Sequence, residues 1–222
     1  MKCLNSEWPA VLHTGRRLYG GTQDFFARKG IRKSGCGLIA AIDTLRYLEL
    51  NGRAPESSEF WDSAPNEMSW DHYEKAGLKL NRRYVRIFPP FGANGLMLAW
   101  GMNRFFRRYH VTLRAKWGVR REKLWTSVAR MLEKNLPVIL SIGPNWPFLW
   151  RHRGVGLYLS QKDASPVTHV EGHYVTVTGM DENWLRVSSW GRIYYIRKDE
   201  FEYYSRTYSC NLFSNCLLLT EK

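Results

Sequence analysis

The sequence predicts an α+β fold in one domain over residues 1–222, with an N-terminal helical part and a C-terminal antiparallel sheet. Three observations point there. Apolar residues recur at helical spacing through the first 135 residues, and they alternate at strand spacing in the last third. No internal repeat or low-complexity linker divides the chain.

Taken in order, residues 1–35 read as mostly irregular, with a turn at Gly20, Gly21, Thr22 and Gln23. Residues 34–48 carry Leu38, Ile42, Leu45 and Leu48 on one helical face, with Ser34 as N-cap and Asn51-Gly52 as the stop. A polar loop spans 53–65. Ser69 then caps a short helix over 70–76, which Gly77 ends. Pro89-Pro90-Phe91-Gly92 breaks the chain before a helix over 95–109 and a strand over 111–116. A helix over 121–135 runs into Val138, Ile139, Leu140 and Ile142, which suit a buried strand. Residues 143–172 form a long connection with a minor hairpin through 157–159. Strands at 173–178, 184–187 and 193–196, a brief helix at 198–204 and a closing strand at 217–219 complete the pattern.

Lys and Arg number 33 against 20 Asp and Glu, a net charge of +13 that favours anionic partners. The 44% hydrophobic content argues for a folded globule rather than a basic tail. Arg104, Arg107 and Arg108 share one helix face, read first as a solvated face. No zinc-finger, RNA-recognition or helix-turn-helix signature accompanies the charge. The N-terminus lacks a signal-peptide core and no apolar run is long enough to span a bilayer, so the expectation is a cytoplasmic protein. Cys3, Cys36, Cys210 and Cys216 are too few for a disulfide framework in a chain of this length. His169 and His173 are four apart, but the strand pattern around them speaks against a shared metal, and no cofactor is expected.

Cys36 falls in the first turn of its helix, where free N–H groups and the helix dipole favour a thiolate. Gly35 and Gly37 leave both flanks of the sulfur free of side chains. Gly172-His173 opens a strand, and the following hairpin returns Ser188, Ser189 and Trp190 beside it. A thiol, an imidazole and a hydroxyl that orients the ring are the parts of a nucleophile-and-base site. Each has a plainer reading: a buried inert cysteine, ordinary edge-strand serines and a core tryptophan.

In order and spacing, Gly35-Cys36-Gly37, Gly172-His173 and Ser188-Ser189-Trp190-Gly191 resemble the papain-like cysteine peptidases, and most of all the bacteriocin-processing type. That resemblance spans residues 18–205 and implies the papain-like fold and a peptide or protein substrate. It implies Cys36 as nucleophile, His173 as general base, and Gln23 as an oxyanion donor with the Cys36 N–H. Ser188 or Ser189 takes the third place, where the family has Asn or Asp. Gln23 lies thirteen positions before Cys36 instead of about six, so an insertion must loop out. Gly35, Gly37, Gly172 and Trp190 are the candidate substrate contacts. The alternatives are a silent papain-like fold that binds peptide or protein, and a basic nucleic-acid-binding protein, which the charge alone supports.

Overall fold

In the central strand β6 (Val138–Ile142) all five residues are buried, because the sheet is covered on both faces. The computed structural model describes residues 1–54, 60 and 67–221. In chain order the preceding elements are β1 (Lys2–Cys3), β2 (Ala10–His13), β3 (Arg16–Tyr19), α1 (Lys29–Ser34), α2 (Cys36–Leu50), β4 (Glu67–Ser69), α3 (Trp70–Arg83), α4 (Gly95–Arg108), β5 (Leu113–Trp117) and α5 (Leu124–Glu133). After β6 come β7 (Val155–Leu157), β8 (Thr168–Val170), β9 (His173–Met180), β10 (Trp184–Ser189), β11 (Arg192–Arg197), α6 (Lys198–Thr207) and β12 (Cys216–Glu221).

The main sheet runs β11-β10-β9-β6-β12-β5, with the short β1 added to the far end of β9. Its pairings are all antiparallel. Helix α2 packs on β9 and is buried from Gly37 to Glu49. It is therefore a core helix rather than an amphipathic surface one. Within it the Arg46 guanidinium meets Glu49 at 2.7 Å, a buried pair that neutralises the charge the core would otherwise have to hold. A second sheet, β3-β2-β4, closes the N-terminal side. The α+β reading holds, helices early and antiparallel sheet late.

Several local expectations need correcting. Residues 1–35 are not irregular: they supply β1, β2, β3 and α1. Those strands are two to four residues long, too short for their alternation to stand out. Ser34 ends α1 instead of capping α2, and its hydroxyl donates to Pro90 O at 2.9 Å. Gly35 holds the N-cap position. Gly77 does not end α3, which continues to Arg83. The strand expected over 111–116 is β5, shifted to Leu113–Trp117, and α5 is preceded by a 3-10 turn at Arg121–Lys123. Of the polar loop expected over 53–65, residues 55–59 and 61–65 lie outside the described residues. Among the described residues no helix is long and apolar enough to cross a membrane, and all four cysteines are free.

Gly77 is a contact residue. A Cβ there would lie 2.7 Å from Phe26 Cζ and 3.0 Å from Ile42 Cδ1, both in fully buried side chains. Gly77→Ala should gain about 1 kcal/mol of helix propensity and lose about 1–3 kcal/mol to overpacking. The expected outcome is a lower urea midpoint with an unchanged slope; a raised midpoint would show that the α2–α3 contact has slack.

Candidate active site

Helix α2 begins at Cys36, and its burial fixes where the sulfur sits. Cys36 is only partly exposed. The N–H groups of Tyr174, Gly37 and Cys36 itself face the sulfur and ease a negative charge there, yet burial outweighs them and pushes the thiol pKa up. This corrects the expectation of an acidified thiol. A helix N-terminus contributes only a fraction of a charge, and here the desolvation is larger. Gly37 gives the Tyr174 ring its place: a Cβ would stand 3.3 Å from Tyr174 Cδ2. Gly35 serves packing, since a Cβ there would lie 2.4 Å from Ile31 O.

His173 opens β9 opposite Ile142 of β6. Its ring is buried, and burial lowers its pKa to about 4. Nε2 and Ser189 Oγ lie 2.8 Å apart in a hydrogen bond. Ser188, the other candidate, donates instead to Tyr19 O at 2.9 Å. Ser189 is thus the ring's partner and Ser188 ties the strand to β3.

The turn between β10 and β11 has two residues, Trp190 and Gly191, both at positive φ (47° and 70°). Two such residues make the tight hairpin whose twist matches its strands. Glycine does this freely; for tryptophan the conformation is strained and needs a reason. The reason is visible: the indole stacks on His173, centroids 4.4 Å apart and planes 23° off parallel. Trp190 is therefore a wall of the site, and Gly172 (φ 58°), next to His173 in the chain, has open space where a Cβ would stand.

Gln23 reaches the same place despite its spacing. The residues between it and Cys36 loop out to form α1, and Gln23 Nε2 donates to Arg32 O at 2.9 Å. Its second amide hydrogen remains, while Oε1 is buried without a partner. One small cavity, about 10 Å³, is lined by Gln23, Cys36, His173, Ser188, Ser189 and Trp190. The volume is about that of one water. By contrast His169 lies exposed on β8, apart from the buried His173.

Asp43 also lines this cavity and is not among the residues expected there. It is two helical turns beyond Cys36, on the same face of α2. Its carboxylate accepts from Tyr73 Oη at 2.7 Å and from Gly21 N at 3.1 Å. Burial nevertheless raises its pKa to about 7. Gly20 (φ 76°) is required alongside, because a Cβ would fall 2.3 Å from Asp43 Oδ2 and 2.8 Å from Ser188 Oγ. The available signal was a lone acid at i+7 from the cysteine within the apolar run 38–45. No protein-family model matches the chain, and no curated protein matches it in sequence.

The folded state holds a proton on Asp43 that the unfolded chain releases, so this group's contribution to stability falls as pH rises from about 4 to 7. His173 acts oppositely: its depressed pKa makes stability rise with pH between about 4 and 6.5. Asp43→Asn removes only the first contribution. The stability of the variant relative to wild type should therefore climb by about 1.4 kcal/mol per pH unit between pH 4 and 7, read from urea unfolding at each pH. A constant difference would mean that Asp43 titrates normally.

Proposed function

We propose that the chain is a papain-like thiol peptidase or amide hydrolase, with Cys36 as nucleophile and His173 as general base. The observation that carries this reading is that residues 23, 36, 173 and 189 line one cavity, although they come from three separate parts of the chain, the last two from one hairpin. With Ser189 on Nε2, the nitrogen left for the thiol is Nδ1. In the productive tautomer Nε2–H donates to Ser189 Oγ and Nδ1 carries the lone pair.

The depressed imidazole and raised thiol describe a neutral pair, not a stored ion pair. The proton passes from sulfur to Nδ1 as sulfur bonds to the carbonyl carbon. The Cys36 N–H and the second amide hydrogen of Gln23 are the donors available to the developing oxyanion. The amine leaves with the proton from His173, giving a thioester. Water then attacks with His173 again as base, releasing the acid and restoring the thiol.

A second reading, a silent fold that binds peptide, has its own support. The cavity between sulfur and imidazole admits one water, and a serine supplies no charge to hold an imidazolium.

Alkylation separates the two. Iodoacetamide at pH 7, followed by peptide mapping, reads the rate at Cys36, with the partly exposed Cys210 as internal reference. His173→Ala should slow Cys36 by about a hundredfold, the lower range of general-base assistance. Ser189→Ala should slow it about fivefold, the worth of one net hydrogen bond near 1 kcal/mol, and Ser188→Ala should leave it unchanged. Equal rates in wild type and His173→Ala would sink the catalytic reading and leave the silent one.

A further inference from the structure

Arg17, Arg46, Arg53 and Arg197 each meet a carboxylate. Arg28, Arg82 and Arg86 meet none among the described residues, and they share one space. It is a cavity of about 400 Å³, the volume of a small-ligand site, and no Asp or Glu among the described residues lines it.

Three segments bring the arginines together. Leu78, Asn81 and Arg82 stand at i, i+3 and i+4 on α3, on one helix face. The chain leaves α3 at Tyr84, and the buried Asn81 side chain accepts from Ile87 N at 3.0 Å. That bond fixes Arg86 and Phe88 beside the helix end. Arg28 precedes α1; its carbonyl accepts from Ile31 N at 2.9 Å, and the neighbouring Ala27 N donates to Glu74 of α3 at 2.6 Å. Helix α1 packs in turn on the residue after Phe88, since a Cβ on Gly30 would lie 2.8 Å from Pro89 Cγ. The walls are therefore anchored through main-chain groups before any ligand arrives.

Arg82 lies in the last turn of α3, where the helix dipole favours a cation, but that accounts for neither Arg28 nor Arg86. Three guanidinium groups around one space repel one another, and an anion between them removes that cost. Each presents a planar fork of N–H donors that fits phosphate oxygens in pairs. A carboxylate has two oxygens to offer three forks; a phosphate monoester has three and carries close to two charges at neutral pH. The rest of the lining, Leu78, Ile87 and Phe88, is apolar, and Phe88 is 51% exposed. A bare inorganic ion would leave that hydrocarbon uncovered.

We propose that this pocket binds a small phosphate monoester with an apolar organic part. The phosphate lies among Arg28, Arg82 and Arg86, and the organic part lies against Leu78, Ile87 and Phe88. The site does not depend on the thiol reading, because it shares no lining residue with the Cys36 cavity.

The test is calorimetric titration of the full chain at about pH 7.5, where the phosphate is a dianion, in about 50 mM salt. The probes are phenyl phosphate, inorganic phosphate, benzoate and phenol. Phenyl phosphate should bind about tenfold tighter than inorganic phosphate, through the apolar area it covers, and phenol should not bind. Arg82→Gln and Arg86→Gln, both at exposed positions, should each weaken phenyl phosphate about tenfold, the loss of a charge-assisted bond. Phe88→Ser should bring it down to the affinity of inorganic phosphate. Arg104→Gln removes the same charge from α4 and should leave binding unchanged. Phenyl phosphate that gives no heat, or that loses equal affinity in Arg82→Gln and Arg104→Gln, overturns the pocket; the second result is that of a diffuse surface field. Benzoate bound as tightly as phenyl phosphate overturns the assignment to phosphate. Phosphatidic acid vesicles or a single-stranded oligonucleotide bound through Arg82, with phenyl phosphate unbound, overturn the small ligand in favour of a membrane or nucleic acid.

Discussion

The site depends on one short stretch of backbone, residues 19–21, wedged between the helix that bears Cys36 and the hairpin that bears Ser189. Gly21 N is held by the Asp43 carboxylate on α2, and Gly21 O accepts from Gly191 N at 2.9 Å. Tyr19 N donates to Gly191 O at 2.8 Å, and Tyr19 O accepts from Ser188. These bonds pin the β10–β11 turn from both sides. They offset the left-handed strain at Trp190 and hold its indole over His173. The hairpin that carries Ser189 is thus tied to the helix that carries Cys36 through two backbone bonds and the Asp43 and Ser188 side chains.

Burial without a compensating charge is the common cause of the site's electrostatics. It raises Cys36 and Asp43 and lowers His173, and in each case it is the largest influence. The chain carries +13, but the residues lining the cavity include no Lys or Arg; Arg104, for instance, spreads over the exposed Trp100 ring at 4.8 Å. The long-range field of the surface and the local field of the cavity are therefore separate matters. The first bears on which molecules approach, the second on where a proton rests.

Much of the C-terminal half was legible in the sequence because its signals are local. Val175 and Val177 alternate along β9, and the turn at 181–183 returns β10 beside it, so Ser189 beside His173 could be read before any coordinates. What failed was non-local. Strands β2 and β4 pair in parallel across more than fifty residues, and nothing in four- and three-residue segments announces that. At Gly77 a helix interior glycine and a helix stop look alike until Phe26 is seen against it. Asp43 is silent in the sequence because its environment comes from Gly21 and Tyr73, which sequence distance hides. The direction of the thiol's shift is hidden for a related reason: a helix terminus can be read from sequence, its desolvation cannot.

The serine in the third position fits this electrostatic setting. A carboxylate on Nε2 would draw positive charge onto the ring and favour a standing ion pair with the sulfur. Ser189 orients the ring through one neutral hydrogen bond and leaves burial to set the pKa low. On the proposed chemistry, the proton then has no resting place on His173 before the substrate arrives, and it must move as the carbon–sulfur bond forms. Such a site holds little thiolate while idle, so the work of assembling the charged transition state falls on what the substrate brings with it.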